Sequence, residues 1–489
     1  MFARKSICIA WATCVLWSAG GVDVKGQNII FSPEIVQTIE NSKAHDAFWS
    51  VIVRDSTGNI LDGYNFDKNV RPASNLKLLT SAMILNELEP NFTYHTKLYG
   101  VGIQAGNVWK GDIIIRGSGD PSISGTFYHK DRFHVFEKFY QALDSLGIKQ
   151  IDGSLIGNDS YFDQQVYPKG WSWDDLSFYY GVEVNALSFN ENAVDLRVYA
   201  KNRIGEKPDI EWFPFDTDYV DFVNEQIITP SNSEYDESYR RIMGTNTILL
   251  RSSLPQNYVE KESLSILDAP RFFVDTFKKY LEQGGIKLTE PIVVESNSRN
   301  WKESRYKVLK EHQSVSLHKL LEPMNKESNN FYAEMLLKTA AAEHYDTPGS
   351  TELGVSLIES FAESMDMNED DLVLSDGSGL ASSTLLKIEG LSKMMVKMRS
   401  NPYFKAYKNS LAIAGKDGTL EHRFNNTPVE GRLYGKSGYI SGVRALSGYL
   451  EAASGQPLVV SVITNNYTES TSYIDSIQEE IVQKIYHKY

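Results

Sequence analysis

Ser74 and Lys77 lie three residues apart in the stretch Arg71-Pro-Ala-Ser-Asn-Leu-Lys-Leu-Leu-Thr80. On a helix that spacing puts both side chains on one face, within reach of each other. A serine hydroxyl is a weak nucleophile, and a neutral amine kept dry beside it can take its proton. The chemistry implied is attack of a serine on a carbonyl with a lysine as base. Pro72 suits a chain entering a helix, and the run from Leu76 to Leu85 is almost wholly apolar. The pair is therefore expected on a buried helix with the hydroxyl in its first turn, where free backbone N–H groups favour developing negative charge. The spacing alone decides little, because Ser304/Lys307 and Ser316/Lys319 repeat it.

Two further short motifs follow in order. Ser328-Asn-Asn330 offers S-x-N, and Lys436-Ser437-Gly438 offers K-S-G, followed by Tyr439. S-x-N recurs at Ser188/Asn190 and Ser298/Asn300, whereas the K-[ST]-G triplet occurs once. Ordered S-x-x-K, S-x-N and K-[ST]-G form the signature of penicillin-recognising serine acyl-transfer enzymes.

The elements that must hold these residues can be read from periodicity. Phe48 to Asp55, a Ser56-Thr-Gly-Asn59 turn and Ile60 to Tyr64 read as a β-hairpin just before the Ser74 helix. From about Tyr94 to Ile292 the texture changes to short strand-like runs broken by Gly, Pro, Asn and Asp. Helical patterns interrupt it at Asp131 to Leu146 and Ala269 to Gln283, so one or two mostly-β modules are inserted here. Helices return with a short one over Leu317 to Leu321, a strong one opened by Ser328, and another over Leu353 to Met365. The chain ends in strands at Leu433 to Tyr439, Ala445 to Ala452 and Pro457 to Thr464, then a helix with Ile474, Ile477, Ile481 and Ile485 on one face.

Composition narrows the function classes. A net charge of −14 argues against nucleic acid and anionic membrane as partners. The first twenty residues read as a secretory signal: Arg4 and Lys5, an apolar core from Ile7 to Trp17, and a small-residue cleavage site at Ser18-Ala-Gly20. No later apolar run is long enough to span a bilayer, so an exported, periplasmic or extracytoplasmic protein is expected. Both cysteines, Cys8 and Cys14, fall inside this leader, which leaves no thiol chemistry and no cysteine-ligated metal afterwards. The nine histidines form no H-x-x-x-H pair, and no metal or cofactor is expected.

The wording around the motifs carries a resemblance. Pro72-Ala-Ser-Asn-Leu-Lys77, Met324-Asn-Lys-Glu-Ser-Asn-Asn-Phe-Tyr-Ala-Glu-Met-Leu-Leu337, Ser375-Asp-Gly-Ser-Gly-Leu380, Ala414-Gly-Lys-Asp-Gly-Thr-Leu-Glu-His-Arg-Phe424 and Gly435-Lys-Ser-Gly-Tyr-Ile-Ser-Gly-Val-Arg-Ala-Leu-Ser-Gly-Tyr-Leu450 resemble one family. It is the class C low-molecular-mass penicillin-binding proteins of the penicillin-binding protein 4 type, D-alanyl-D-alanine carboxypeptidases and endopeptidases. Arg116-Gly-Ser-Gly-Asp-Pro121 and Gly170 to Gly181 extend the likeness into the insertion. The resemblance implies an α/β fold: a serine β-lactamase/transpeptidase-like domain, an antiparallel sheet flanked by helices, with two inserted mostly-β domains. The expected division is 27–92 and 300–489 for the catalytic domain, 93–185 and 262–299 for the first insert, and 186–261 for a second nested within it.

It also implies roles. Ser74 would form an acyl-enzyme with a D-Ala-D-Ala-type amide, Lys77 would be its base, and Ser328 would relay a proton to the leaving amine. Asn330 would hold the substrate amide, and Lys436 and Ser437 the terminal carboxylate. The oxyanion would sit between the N–H groups of Ser74 and Tyr439, past Gly438. Asp175 is a candidate reader of a substrate amine, although a loop aspartate also satisfies local backbone N–H groups. Peptidoglycan stem peptides and β-lactam inhibitors are the expected partners. The family commonly has threonine where this chain has Tyr439, a departure that bears on carboxylate recognition. Two other readings stay open: a β-lactamase of the same fold, and a non-catalytic wall-binding scaffold.

Overall fold

The computed structural model describes residues 32–214, 217–296 and 301–489, and the backbone of the strand pair Asp23–Val24 and Gln27–Asn28. The proposed leader and both cysteines lie outside the described residues.

Six antiparallel strands form the sheet that positions the site. Their order is Ala412–Ile413, Leu433–Ile440, Val443–Glu451, Pro457–Asn465, Phe48–Arg54 and Ile60–Tyr64. Side chains alternate between its faces. Val51, Val53, Leu446, Val460 and Val462 pack against Pro33–Glu40 and the terminal helix Thr471–Lys488. Ile52, Ala445, Val459 and Ile463 face the other way, onto the Leu76–Leu88 helix and the helices Leu317–Asn325, Asn330–Tyr345, Thr351–Ser364 and Ile388–Met398. Leu76–Leu88 runs through the middle of this second layer, with eleven of its thirteen residues buried. That explains why its sequence is apolar all round rather than on one stripe. Each large side chain so buried contributes about 1.5–3 kcal/mol.

Between the Ser74 helix and Leu317–Asn325 the chain builds a separate β-rich body. A seven-stranded sheet runs through Lys287–Leu288, Gln150–Asp152, Val108–Arg116, His95–Ala105 and Lys307–Gln313, with Leu155–Asn158 and Ile292–Glu295 attached beside Val108–Arg116. The helices His134–Ser145 and Ala269–Gln283 cover it. Lys307–Gln313 pairs with His95–Ala105 in this sheet, although the sequence placed the return to the catalytic module at residue 300. Residues 193–265 add three small sheets of two or three strands each. Among the described residues, no helix is long and apolar enough to cross a membrane.

Candidate active site

Ser74 sits in a 3-10 turn, Ala73–Asn75, that leads directly into Leu76–Leu88. Ala73 before it has φ +47°, and Ser328 has φ +61°. A non-glycine residue in that region costs roughly 1–2 kcal/mol, so both serine-bearing turns are held in conformations the chain would not choose by itself. The turn is wedged from two sides. An added Cβ at Gly379 would meet the Ala73 carbonyl at 2.0 Å, and one at Gly438 would sit 3.0 Å from the Ser74 nitrogen. Only glycine lets the 376–380 loop and the Lys436 strand approach this closely. Asn75 bolts the strand in place: in the orientation its neighbours dictate, its amide donates to the Lys436 carbonyl (2.8 Å) and accepts from the Ser447 N–H (3.1 Å).

Lys77 is fully buried, and its amine has three neighbours. Nζ lies 3.0 Å from Ser74 Oγ, 2.6 Å from Asn330 Oδ1 and 2.7 Å from the Ser378 carbonyl. The Asn330 amide is oriented because its Nδ2 donates to the Tyr180 carbonyl at 2.9 Å. Its oxygen is thereby turned to the lysine, an acceptor with no donor role. Burial is the main cause that pushes the Lys77 amine down to about 7, while the charges of Asp376 and Glu334 oppose the fall. Lys436 is also fully buried and pushed well below its usual value, first by burial and then by the charge of Lys77. Burial is thus the first cause for both lysines, and the charge of Lys77 disfavours a second charge on Lys436.

The helix expected to open at Ser328 has a different cap. Asn329 takes that place, accepting from the Tyr332 N–H, and the helix begins at Asn330. Ser328 Oγ accepts from Lys436 Nζ at 2.8 Å. Ser437 Oγ donates to Thr419 Oγ1 at 2.7 Å. The short strand Ala412–Ile413 pairs only with Gly435 and Tyr434, so from Lys436 onward that edge of the strand has no strand neighbour. Tyr439 is 56% exposed.

Ser74, Ser328, Asn330, Thr419 and Tyr439 line one cleft of about 750 Å³. The insertion supplies its other wall, including Asp174, Asp175, Tyr179 and Tyr180. Asp175 is half-buried, and burial together with the charge of Asp174 raises its carboxyl above the usual value. Lys77, Lys436 and Ser437 are buried behind the lining and bond to Ser74, Ser328 and Thr419, which do line the cleft, and Gly438 packs on the Ser74 nitrogen. Among the described residues, no group of three or more His, Asp or Glu could hold a metal.

Several participants carried no sequence signal of their own. The Ser378 carbonyl is a backbone group, and Tyr180 contributes through its carbonyl. Asp376 organises the loop, accepting from Ser378 Oγ, Thr384 Oγ1, Trp171 Nε1 and the N–H groups of Gly379, Leu380 and Ala381. The only hints were that Ser375–Leu380 and Gly170–Gly181 belong to the family's wording.

A six-stranded antiparallel sheet between helical layers, with a serine–lysine pair where helix meets sheet, is the framework of a serine acyl-transfer enzyme. Residues 33–485 match the family model of the D-Ala-D-Ala carboxypeptidase 3 (S13) family, and the chain belongs to that family. It is 27% identical over 431 residues to a D-alanyl-D-alanine carboxypeptidase of Actinomadura sp., covering 86% of this chain and 77% of the relative. The D-alanyl-D-alanine carboxypeptidase DacB of Haemophilus influenzae is 24% identical over 417 residues, 84% of this chain and 83% of that one. The crystal structure of penicillin binding protein 4 from the same organism superposes with a TM-score of 0.81 at 21% identity, covering 92% of this chain and 99% of that one.

Proposed function

We propose that this chain is a serine DD-peptidase of peptidoglycan in which Ser74 is the nucleophile and Lys77 its base. The observation that carries the reading is the set of partners around the Lys77 amine. A neutral amine has two N–H donors and one lone pair. Asn330 Oδ1 and the Ser378 carbonyl can only accept, so they consume both donors. The lone pair is left facing Ser74 Oγ.

In the reaction, Ser74 Oγ attacks the carbonyl of the penultimate D-Ala while its proton passes to Lys77, help worth roughly 10²–10⁴ in rate. The oxyanion forms between the N–H groups of Ser74 and Tyr439, each donor worth on the order of 3 kcal/mol. The Ser328 hydroxyl, fixed by Lys436, relays the proton to the leaving nitrogen. Lys436 and Ser437 hold the terminal carboxylate of the substrate. A bound carboxylate draws positive charge to Lys436, and repulsion then keeps Lys77 neutral. Water releases the acyl group. Asp175 supports a reading in which the insertion's wall meets an amine on the stem peptide, and the leader at Arg4 to Gly20 supports export. A β-lactam enters the same path and stops at the acyl-enzyme.

The test is incubation of purified protein with a pentapeptide ending in D-Ala-D-Ala, with cross-linked peptide dimers and with a penicillin. Release of D-Ala or cleavage of dimers, with slow release of penicilloate, is expected. Rapid penicillin hydrolysis without peptide cleavage would overturn the reading in favour of a β-lactamase.

A further inference from the structure

Glu334 takes no part in the proposed reaction. Its side chain is fully buried, one turn beyond Asn330 on the Asn330–Tyr345 helix. Oε1 accepts from the backbone N–H groups of Gly377 (2.9 Å) and Ser378 (2.7 Å), and Oε2 has no hydrogen-bond partner. A buried carboxyl with a bare oxygen is costly, so a fold indifferent to this residue would be better served by an amide or an apolar side chain.

Its two bonds end on the two peptide units just before the one that carries the Ser378 carbonyl. The Ser378 residue they hold is the one whose carbonyl accepts from Lys77. The Asn330–Tyr345 helix therefore grips the lysine twice, directly through Asn330 Oδ1 and at one remove through Glu334 and Ser378. Resting on the reading of Ser74 and Lys77 given above, we infer that Glu334 is a positioning residue for the base: it fixes the Ser378 carbonyl so that this acceptor takes one lysine N–H and the lone pair stays aimed at Ser74 Oγ.

The same residue bears on the protonation of the base, after burial and the charge of Asp376. Glu334 lies within electrostatic reach of Lys77 on the Ser74 helix and of Asp376 in the adjacent loop. Lys338, held by Asp163, lies one turn further along its own helix, and Lys436 lies beyond Lys77. Burial, and then the charge of Asp376, pushes the Glu334 carboxyl up to about 8. Glu334 and Lys77 consequently titrate as a pair. Loss of one proton leaves either the neutral lysine with the neutral acid, or the charged lysine with the carboxylate, and only the first is active. Glutamine keeps the accepting oxygen and abolishes the second state.

The experiment measures the rate constant for acylation by a fluorescent penicillin against pH for wild type, Glu334→Gln and Glu334→Ala, alongside thermal unfolding. With Glu334→Gln, a loss of no more than about tenfold at neutral pH and a displacement of the acid limb to lower pH by about half a unit or more are expected. With Glu334→Ala, which frees the Gly377 and Ser378 N–H groups, a fall of about 10–10²-fold is expected. An unshifted limb in Glu334→Gln overturns the inference, and this holds even if Glu334→Ala does not fold. Wild-type rate and profile in a folded Glu334→Ala protein overturn it as well. Failure of the underlying reading would look different, because wild-type protein would not label at all.

Discussion

Replacing Lys77 by methionine should remove the reaction and reveal what the base costs the fold. Methionine keeps the length and apolar stem and lacks the amine. The amine is fully buried and pushed from 10.5 down to about 7, with burial the largest cause. A folded-state value below the unfolded one means that the folded protein binds fewer protons between those two pH values. The penalty is full below about pH 7, shrinks as pH rises, and disappears above about 10.5, where the amine is neutral in both states. A shift of that size corresponds to about 5 kcal/mol, of which roughly 3 kcal/mol falls between pH 6 and pH 9.5. Leaving Asn330 Oδ1 and the Ser378 carbonyl without the amine costs the same at every pH. The variation of the Tm difference with pH therefore isolates the titration. At about 2–4 °C per kcal/mol for a domain of 150–250 residues, the gain of Lys77→Met over wild type should grow by roughly 6–12 °C from pH 9.5 to pH 6. Thermal unfolding followed by circular dichroism reads this directly, and penicillin acylation should fall by about 10²–10⁴. A Tm difference that stays flat, or shrinks as pH falls, would refute the argument that Lys77 is kept neutral by burial.

Two other substitutions probe the approach of the Lys436 strand. Gly438→Ala sets a methyl 3.0 Å from the Ser74 nitrogen and 3.1 Å from both Ala73 Cβ and the Pro72 carbonyl. The expected result is a stability loss of about 1–3 kcal/mol, with acylation slower by about 10–10²-fold as the oxyanion donors separate; penicillin labelling and Tm measure both. Tyr439→Thr keeps the backbone N–H and adds a hydroxyl beside the substrate carboxylate. Kinetics on a D-Ala-D-Ala pentapeptide should show kcat/KM raised by about 10–10²-fold, what one hydrogen bond to a charged group supplies, while penicillin labels within about threefold of wild type.

Much of this arrangement could be read in the chain because it depends on side-chain type and period. The hairpin over Phe48–Arg54 and Ile60–Tyr64, the apolar Leu76–Leu88 helix and the three closing strands all follow from alternation or burial. The Ser74, Lys77, Asn330 and Lys436 cluster follows from ordered motifs. Other features were not legible, for identifiable reasons. The sequence opens this helix at Ser328, and serine caps well, yet Asn329 one residue later is the cap, which no local rule decides. The Ser378 and Tyr180 carbonyls act through backbone atoms that every residue carries. Glu334 reads as an ordinary helical glutamate until the fold buries it against the 376–380 loop. Lys307–Gln313 pairs with strand His95–Ala105 some two hundred residues earlier, a separation beyond any local pattern.

The central claim is that Ser74 is the residue acylated. Purified protein, wild type and Ser74→Ala, is incubated with a fluorescent penicillin, digested, and the modified peptide identified by mass spectrometry. The predicted result is one adduct, on Ser74, in wild type and none in Ser74→Ala at matched thermal stability. An unlabelled wild type, equal labelling of the variant, or an adduct mapped to another residue would contradict it.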